Sequence, residues 1–84
     1  MNSSAAELKP LAEGVRVTPD ELVVLLVDGR TVTIPLFWFP RLANASEKER
    51  NNWELLGGGV GIHWPDVDED LSVSGLLAGG RPPT

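Results

Sequence analysis

The Asp28-Gly29 pair is the feature that most constrains the fold of this 84-residue chain. It separates two runs rich in aliphatic and β-branched residues, at positions 22–27 and 31–34. An Asp-Gly pair in this setting is typical of a type I′ turn, whose two central residues both have positive φ. The sequence therefore predicts a β-hairpin with a two-residue loop.

The register of this hairpin assigns its side chains to two faces. A two-residue loop places Leu25 opposite Val32 and Val23 opposite Ile34, and we expect this face to contact the core. The second face is also apolar, so either the sheet is covered on both faces or this face contacts a partner, for which a second copy of the chain is a candidate. The residues of the second face are Leu22, Val24 and Leu26.

A third strand is predicted at residues 14–18, where apolar and polar side chains alternate. A two-residue turn after this strand would place Val15 opposite Val24, and Val17 opposite Leu22. The three predicted strands then form one antiparallel sheet.

Short helices are predicted downstream of this sheet. Pro40 suits the first position of a helix through residue 45, because its fixed φ is compatible with the first helical turn. Ser46 and Glu49 form a capping-box pattern, which predicts a second helix at about residues 47–52. Residues 53–56 either end this helix or begin a strand.

The last part of the chain predicts one more strand and one more helical turn. Residues 60–64 are β-like, and Ser72 can cap a final turn that ends near Gly79. Together the elements predict an α+β fold, a small antiparallel β-sheet of three or more strands packed against two or three short helices. We expect a flexible N-terminal arm at residues 1–13, a single domain at residues 14–79 and a disordered tail at residues 80–84.

Five segments, in order along the chain, carry a resemblance to a known family. They are Asp28-Gly29-Arg30, residues 35–42 (Pro-Leu-Phe-Trp-Phe-Pro-Arg-Leu), Trp53-Glu54, residues 61–65 (Gly-Ile-His-Trp-Pro) and residues 68–73. In these segments the chain resembles the domain of unknown function 2442, over roughly residues 15–79. The Trp-Phe-Pro-Arg-Leu and Gly-Ile-His-Trp-Pro segments are the most specific.

The resemblance implies a binding or regulatory role. The family consists of small bacterial and phage proteins without an established biochemical activity. Some members are fused to a helix-turn-helix domain, and others are encoded beside a small companion protein, as in toxin–antitoxin pairs. An antitoxin-like or otherwise inhibitory function is therefore what the resemblance favours.

Composition narrows the chemistry that the chain can perform. It contains no cysteine and one histidine, which argues against thiolate catalysis, cysteine-ligated zinc and histidine-rich metal sites. We therefore expect no metal, no cofactor and no enzymatic activity. The apolar runs are shorter than the ~20 residues of a membrane helix, and residues 1–14 lack the apolar stretch of a secretory signal. The expected location is the cytoplasm.

The charge of the chain indicates the class of its partner. Twelve acidic and seven basic residues give a formal net charge of −5, and the basic residues are scattered. Domains that bind nucleic acid usually show a basic patch, so direct binding of nucleic acid is not expected. An acidic surface favours association with a basic protein.

Two local motifs resemble ligand-binding loops but lack required residues. The glycines at 57–61 have neither the lysine nor the following helix of a phosphate loop, and a turn where backbones pass closely is the alternative. Residues 66–70 resemble the start of a calcium loop, but Leu71 and Leu77 occupy the positions that need Gly and Glu. The alternatives there are a solvated acidic turn and an acidic edge for a basic partner.

His63 and Arg41 each have a structural and a functional interpretation. Beside Asp66 or Asp68, His63 could act as an acid–base group, although most such histidines are structural or surface residues. Arg41 either joins an interface, where Arg and Trp are enriched, or bridges to Asp68 or Glu69 within the domain. At least two of the three tryptophans are expected in the core.

The sequence therefore predicts a protein-interaction module whose partner is a basic protein. The alternatives are a transcriptional or nucleic-acid regulator and a small ligand-binding domain that uses His63 and Arg41. Trp38 or Trp53 is predicted to be essential for folding. The predicted partner-binding residues are Trp38, Arg41, His63, Trp64, Asp66, Asp68 and Glu69.

Overall fold

Two three-stranded antiparallel sheets form the frame of the computed structural model, which describes residues 10–79. The first sheet contains β1 (Ala12–Val17), β2 (Glu21–Leu26) and β3 (Thr31–Pro35), with β2 in the centre. The second contains β4 (Glu54–Leu56), β5 (Gly61–Trp64) and β6 (Glu69–Ser72), with β5 in the centre. The predicted α+β class is confirmed, and residues 53–56 contribute a strand rather than the end of a helix.

Short helices connect the strands. A 3-10 helix (Leu36–Trp38) is followed by α1 (Pro40–Ala43), α2 (Glu47–Asn51) and, after β6, α3 (Val73–Leu77). The predicted capping box at α2 is confirmed, because Ser46 and Glu49 exchange side-chain-to-backbone hydrogen bonds. Ser72 caps α3 by accepting a hydrogen bond from the backbone N–H of Gly75. Within residues 10–79, no helix is long and apolar enough to cross a membrane.

The β2–β3 hairpin forms, but its loop has three residues instead of the predicted two. The Leu26 N–H donates to the carbonyl oxygen of Arg30, and the Gly29 N–H donates to the carbonyl oxygen of Leu26. Gly29 has φ +97°, whereas Asp28 does not have a positive φ. The Asp28 carboxylate accepts hydrogen bonds from the backbone N–H and the guanidinium of Arg30, which stabilises this longer loop.

The extra loop residue changes which residues of β2 share a face with Val32 and Ile34 of β3. Leu22 opposes Ile34, and Val24 opposes Val32. Side chains alternate along a strand, so this register turns the face that includes Leu26 toward the core. Leu22, Val24 and Leu26 are at most 2% exposed. The prediction that this face contacts a second copy of the chain was therefore wrong.

Two of the four residues that were predicted to contact the core do so, since Ile34 is 6% exposed and Val32 packs against the core. The other two, Val23 and Leu25, lie on the outer face of the sheet. Leu25 lies on it and is 39% exposed. Val23 also lies on it and is 5% exposed, in the central strand of the sheet. Residues 40–52 therefore cover the face of Val32 and Ile34, as predicted, but not that of Val23 and Leu25.

The pairing of β1 with β2 confirms the sequence prediction. Val15 opposes Val24, and Val17 opposes Leu22, because the turn between the strands has two central residues. Thr18 stabilises this turn, since its hydroxyl oxygen accepts a hydrogen bond at 2.9 Å from the backbone N–H three residues further on.

The first strand begins before the predicted domain boundary. Ala12 is 2% exposed, and its N–H donates to the carbonyl oxygen of Gly59 at 2.8 Å. Ala12 and Glu13 therefore belong to the folded domain and not to the predicted arm. The rest of that arm up to residue 9, and the predicted tail at residues 80–84, lie outside the described residues.

One hydrophobic core joins the two sheets. Trp64 and Ile62 of β5 are fully buried, in the same cluster as the inward-facing residues of β2. Trp64 Nε1 donates to the backbone oxygen of Arg50 at 3.0 Å, which ties the largest core side chain to α2. Trp38 and Trp53 pack against this core and are partly buried.

Candidate functional site

The hairpin formed by β5 and β6 carries most of the residues that were predicted to bind a partner. Asp66 and Asp68 are exposed in its turn, and Asp70 is exposed on β6. Within residues 10–79, Asp68 is the one non-glycine residue with positive φ, at +54°, a conformation that Asp tolerates better than most residues. We refer to Asp66, Asp68, Glu69 and Asp70 as the acidic cluster.

Two side chains from other elements hold this turn in place. Arg41 Nη1 of α1 donates to the backbone oxygen of Asp68 at 2.6 Å. Asn52, which follows α2, donates from Nδ2 to a carboxylate oxygen of Asp66 at 2.9 Å. Arg41 therefore bridges to Asp68 inside the domain, which is one of its two predicted roles.

Glu69 differs from the rest of the acidic cluster. It opposes Trp64 across β5 and β6 and is half-buried. This burial raises the pKa of the Glu69 carboxyl above its ordinary value, although the nearby positive charge of Arg41 opposes the shift. Glu69 is thus turned partly toward the domain, whereas Asp66 and Asp68 are presented to solvent.

His63 lies in a row of charged residues that crosses the second sheet. It opposes Glu54 on β4 and Asp70 on β6. Nδ1 of His63 hydrogen-bonds to the Asp70 carboxylate, which raises the pKa of His63, and the negative charges of Glu54 and Asp68 act in the same direction against partial desolvation. The carboxylate that His63 contacts is therefore Asp70, not Asp66 or Asp68 as predicted.

Trp64 is not a partner-binding residue. Its side chain is fully buried, and its indole N–H is bonded to the backbone of Arg50. The alternation of the strand places Trp64 on the same side as Ile62, in the core. The alternating pattern of the sequence places these two residues on one side but does not indicate which side faces solvent.

Phe37 is an exposed residue that the sequence analysis did not select. It is 75% exposed, more than any other large hydrophobic side chain among the described residues. Leu36 and Phe39 lie three positions apart and are both buried, so they share the inward side of the helical turn and Phe37 points away from it. That i, i+3 spacing is the signal that could have identified Phe37.

One cavity among the described residues lies away from the predicted ligand site. It has a volume of about 450 Å³ and does not include His63 or Arg41. Its lining residues are Pro10, Val60, Ser72 and Ser74. Within residues 10–79, no group of three or more His, Asp or Glu side chains is arranged to hold a metal ion.

Comparisons with known proteins identify relatives of the whole described domain. The family model described as "Protein of unknown function (DUF2442)" matches residues 12–82. A crystal structure of a protein of unknown function from Rhodospirillum rubrum is similar, with a TM-score of 0.76 and 34% identity over 92% of this chain and 94% of that chain. No curated protein matches the sequence.

A second solved structure shares the fold. The solution NMR structure of an uncharacterised protein from Chromobacterium violaceum has a TM-score of 0.72 and 21% identity, and the match covers 88% of this chain and 70% of that chain. These relatives establish the architecture and assign no activity to it. The candidate site must therefore be interpreted from its own geometry and charge.

Proposed function

We propose that this chain, which belongs to the DUF2442 family, is a protein-interaction module without enzymatic activity that binds a basic partner protein. Its role would be antitoxin-like or otherwise inhibitory. The observation that carries the proposal is the group of exposed carboxylates at one end of the second sheet. The residues are Glu54, Asp66, Asp68 and Asp70.

The neighbouring basic side chains are engaged within the domain. Arg41 donates to a backbone oxygen of the acidic turn. Arg50 donates from Nε and Nη2 to the carbonyl oxygens of Leu42 and Ala43, at 3.0 and 2.8 Å. Both guanidinium groups therefore support the fold, and the exposed carboxylates remain accessible to a cationic partner.

The two alternatives have less support from the same surface. Nucleic-acid binding depends on Lys and Arg contacts to phosphates, and the exposed carboxylates would repel a phosphate backbone. A ligand-binding domain built on His63 and Arg41 would need a pocket that contains them, whereas Arg41 and His63 are bonded to Asp68 and Asp70. Binding of a basic protein needs only the carboxylates that are already exposed to solvent.

The test is the association rate with the protein encoded by the adjacent gene, measured over a series of ionic strengths. Opposite charges accelerate association at low salt, and the Debye length is about 10 Å at 0.1 M salt. Asp66→Asn together with Asp68→Asn should slow association and flatten its salt dependence. Asn is a suitable replacement at position 68 because it also tolerates positive φ.

A matched control removes two carboxylates elsewhere. Glu13→Gln together with Glu47→Gln changes the net charge equally, at exposed positions of β1 and α2. We expect this variant to associate nearly as fast as the natural protein. Absence of binding, or equal rates for the two double variants, would overturn the proposal. Retention of DNA instead of protein would favour the regulator alternative.

A further inference from the structure

An exposed aromatic residue and two exposed acidic residues lie on neighbouring backbone segments at one end of the first sheet. The Leu36 N–H donates to the carbonyl oxygen of Asp20 at 2.9 Å, which joins the 3-10 helix to the β1–β2 turn. Glu21 opposes Pro35, the residue that precedes this helix. Asp20, Glu21 and Pro35 are exposed, and Phe37 is 75% exposed. We refer to Asp20, Glu21, Pro35 and Phe37 as the aromatic corner.

The fold does not require an aromatic residue at position 37. Leu36 and Phe39 anchor this segment in the core, at 2% and 9% exposure. Phe37 buries little surface in the domain, so a polar residue would fit the same turn at no cost in packing. An aromatic ring presented in this way has the properties of an interface anchor, since aromatic residues are enriched at protein–protein contacts.

We propose that the aromatic corner binds an arginine side chain of the partner protein, with the guanidinium over the ring of Phe37 and the carboxylates of Asp20 and Glu21 beside it. A cation within about 6 Å of a ring centroid is attracted by the negative face of the ring. Neighbouring carboxylates add charge-assisted hydrogen bonds. The inference rests on the proposed function, because it names the contact through which the basic partner is anchored.

Charge favours an arginine of the partner over a second copy of the chain or a neutral apolar partner. A second copy of the chain carries the same net charge of −5 and would bring like charges together at the corner. A neutral apolar partner would desolvate Asp20 and Glu21 without compensation. A basic side chain compensates both carboxylates and covers the ring, so it satisfies all the groups that are present.

The experiment follows the two phenylalanine rings of the full chain by NMR. The probe is the peptide acetyl-Gly-Arg-Gly-Arg-Gly-amide, and the control peptide carries Gln in place of Arg. We expect the arginine peptide to shift the ring signals of Phe37 and the backbone amides of Asp20 and Glu21. The buried ring of Phe39 should not shift, and the Gln peptide should have no effect.

Single variants distinguish the contribution of the Phe37 ring to peptide binding from that of the carboxylates. Phe37→Ala should weaken binding of the arginine peptide at this corner about tenfold, and Phe37→Tyr should retain it. Asp20→Asn should weaken binding and reduce its salt dependence. Val27→Ala is the matched control, since Val27 is 58% exposed in the loop at the other end of β2 and should have no influence.

The possible outcomes distinguish this inference from the proposed function. Shifts confined to the acidic cluster would overturn the inference and leave the proposed function standing. Shifts at the aromatic corner alone would support the inference and argue against the acidic cluster as the binding surface. Absence of any shift, or equal affinity of the natural protein and Phe37→Ala, would overturn the inference.

Discussion

His63 couples the stability of this structure to pH near neutrality. Its hydrogen bond with Asp70 raises the pKa of His63 above the ordinary value of 6.5. A group whose pKa is raised on folding stabilises the fold fully below its unfolded pKa, and this stabilisation is lost as the pH rises through the folded pKa. The row of Glu54, His63 and Asp70 therefore strengthens the second sheet on the acidic side of neutrality.

We expect this contribution to appear as a pH dependence of the unfolding free energy. As the pH rises from below 6.5 through the raised pKa of His63, the natural protein should lose stability relative to His63→Gln, which has no imidazole to protonate. Urea unfolding at several pH values measures the difference. In Asp70→Asn, the NMR titration midpoint of His63 should fall. A constant stability difference between the natural protein and His63→Gln would contradict this account.

The turn between β4 and β5 contacts the first strand of the other sheet. Gly59 has φ +117°, and a Cβ there would lie 2.4 Å from the backbone oxygen of Ala12. Gly58 has φ +73°, but a Cβ there would meet no atom within 4 Å. The glycine run is therefore a turn that lets the backbone of β1 approach closely, which confirms the structural alternative to a phosphate loop.

Two neighbouring glycine variants test this element. Gly58→Ala should cost about 1 kcal/mol, because only the left-handed backbone conformation penalises the side chain. Gly59→Ala should cost at least about 2 kcal/mol more, because the clash is with a backbone atom and the first strand must move. Unfolding in urea gives both values. Equal losses for the two variants would show that the contact of Gly59 with Ala12 has little energetic weight.

At the scale of the whole molecule, Trp64 joins elements that are distant in the sequence. It is fully buried, and its indole N–H bonds to α2. Replacing a buried tryptophan with alanine typically costs about 3–5 kcal/mol, and small domains are often stable by only about 5 kcal/mol. Trp64 therefore accounts for a large part of the free energy of unfolding, although it lies in a strand of only four residues.

We expect Trp64→Ala to be largely unfolded at room temperature, with both sheets lost together because they share one core. Far-UV circular dichroism and thermal melts measure this directly. Trp38→Ala and Trp53→Ala remove partly buried rings and should lower the melting temperature by less. A cooperative melt of Trp64→Ala near the natural melting temperature would contradict this. The same melts test the sequence prediction that Trp38 or Trp53 is essential for folding.

Local chemistry was sufficient to predict several elements from the sequence. The capping box of Ser46 and Glu49, the cap at Ser72 and the strand that ends at Trp64 all appear where the sequence predicts them. The interactions that form the two caps span three residues, so no distant part of the chain is needed to specify them. The charges of the candidate site were equally visible, since Asp66 and Asp68 lie in one short turn.

Tertiary packing decided the features that the sequence left open. Both faces of β2 are apolar, so the pattern could not indicate which face is buried. A single added loop residue, Val27, placed Leu22 and Val24 on the buried face. The same limitation concealed the burial of Trp64 and the exposure of Phe37. Sequence alone determined where the chain turns and caps its helices, because those interactions are local. Which apolar side chains face solvent was decided by packing between the two sheets, because burial depends on residues that are far apart in the chain.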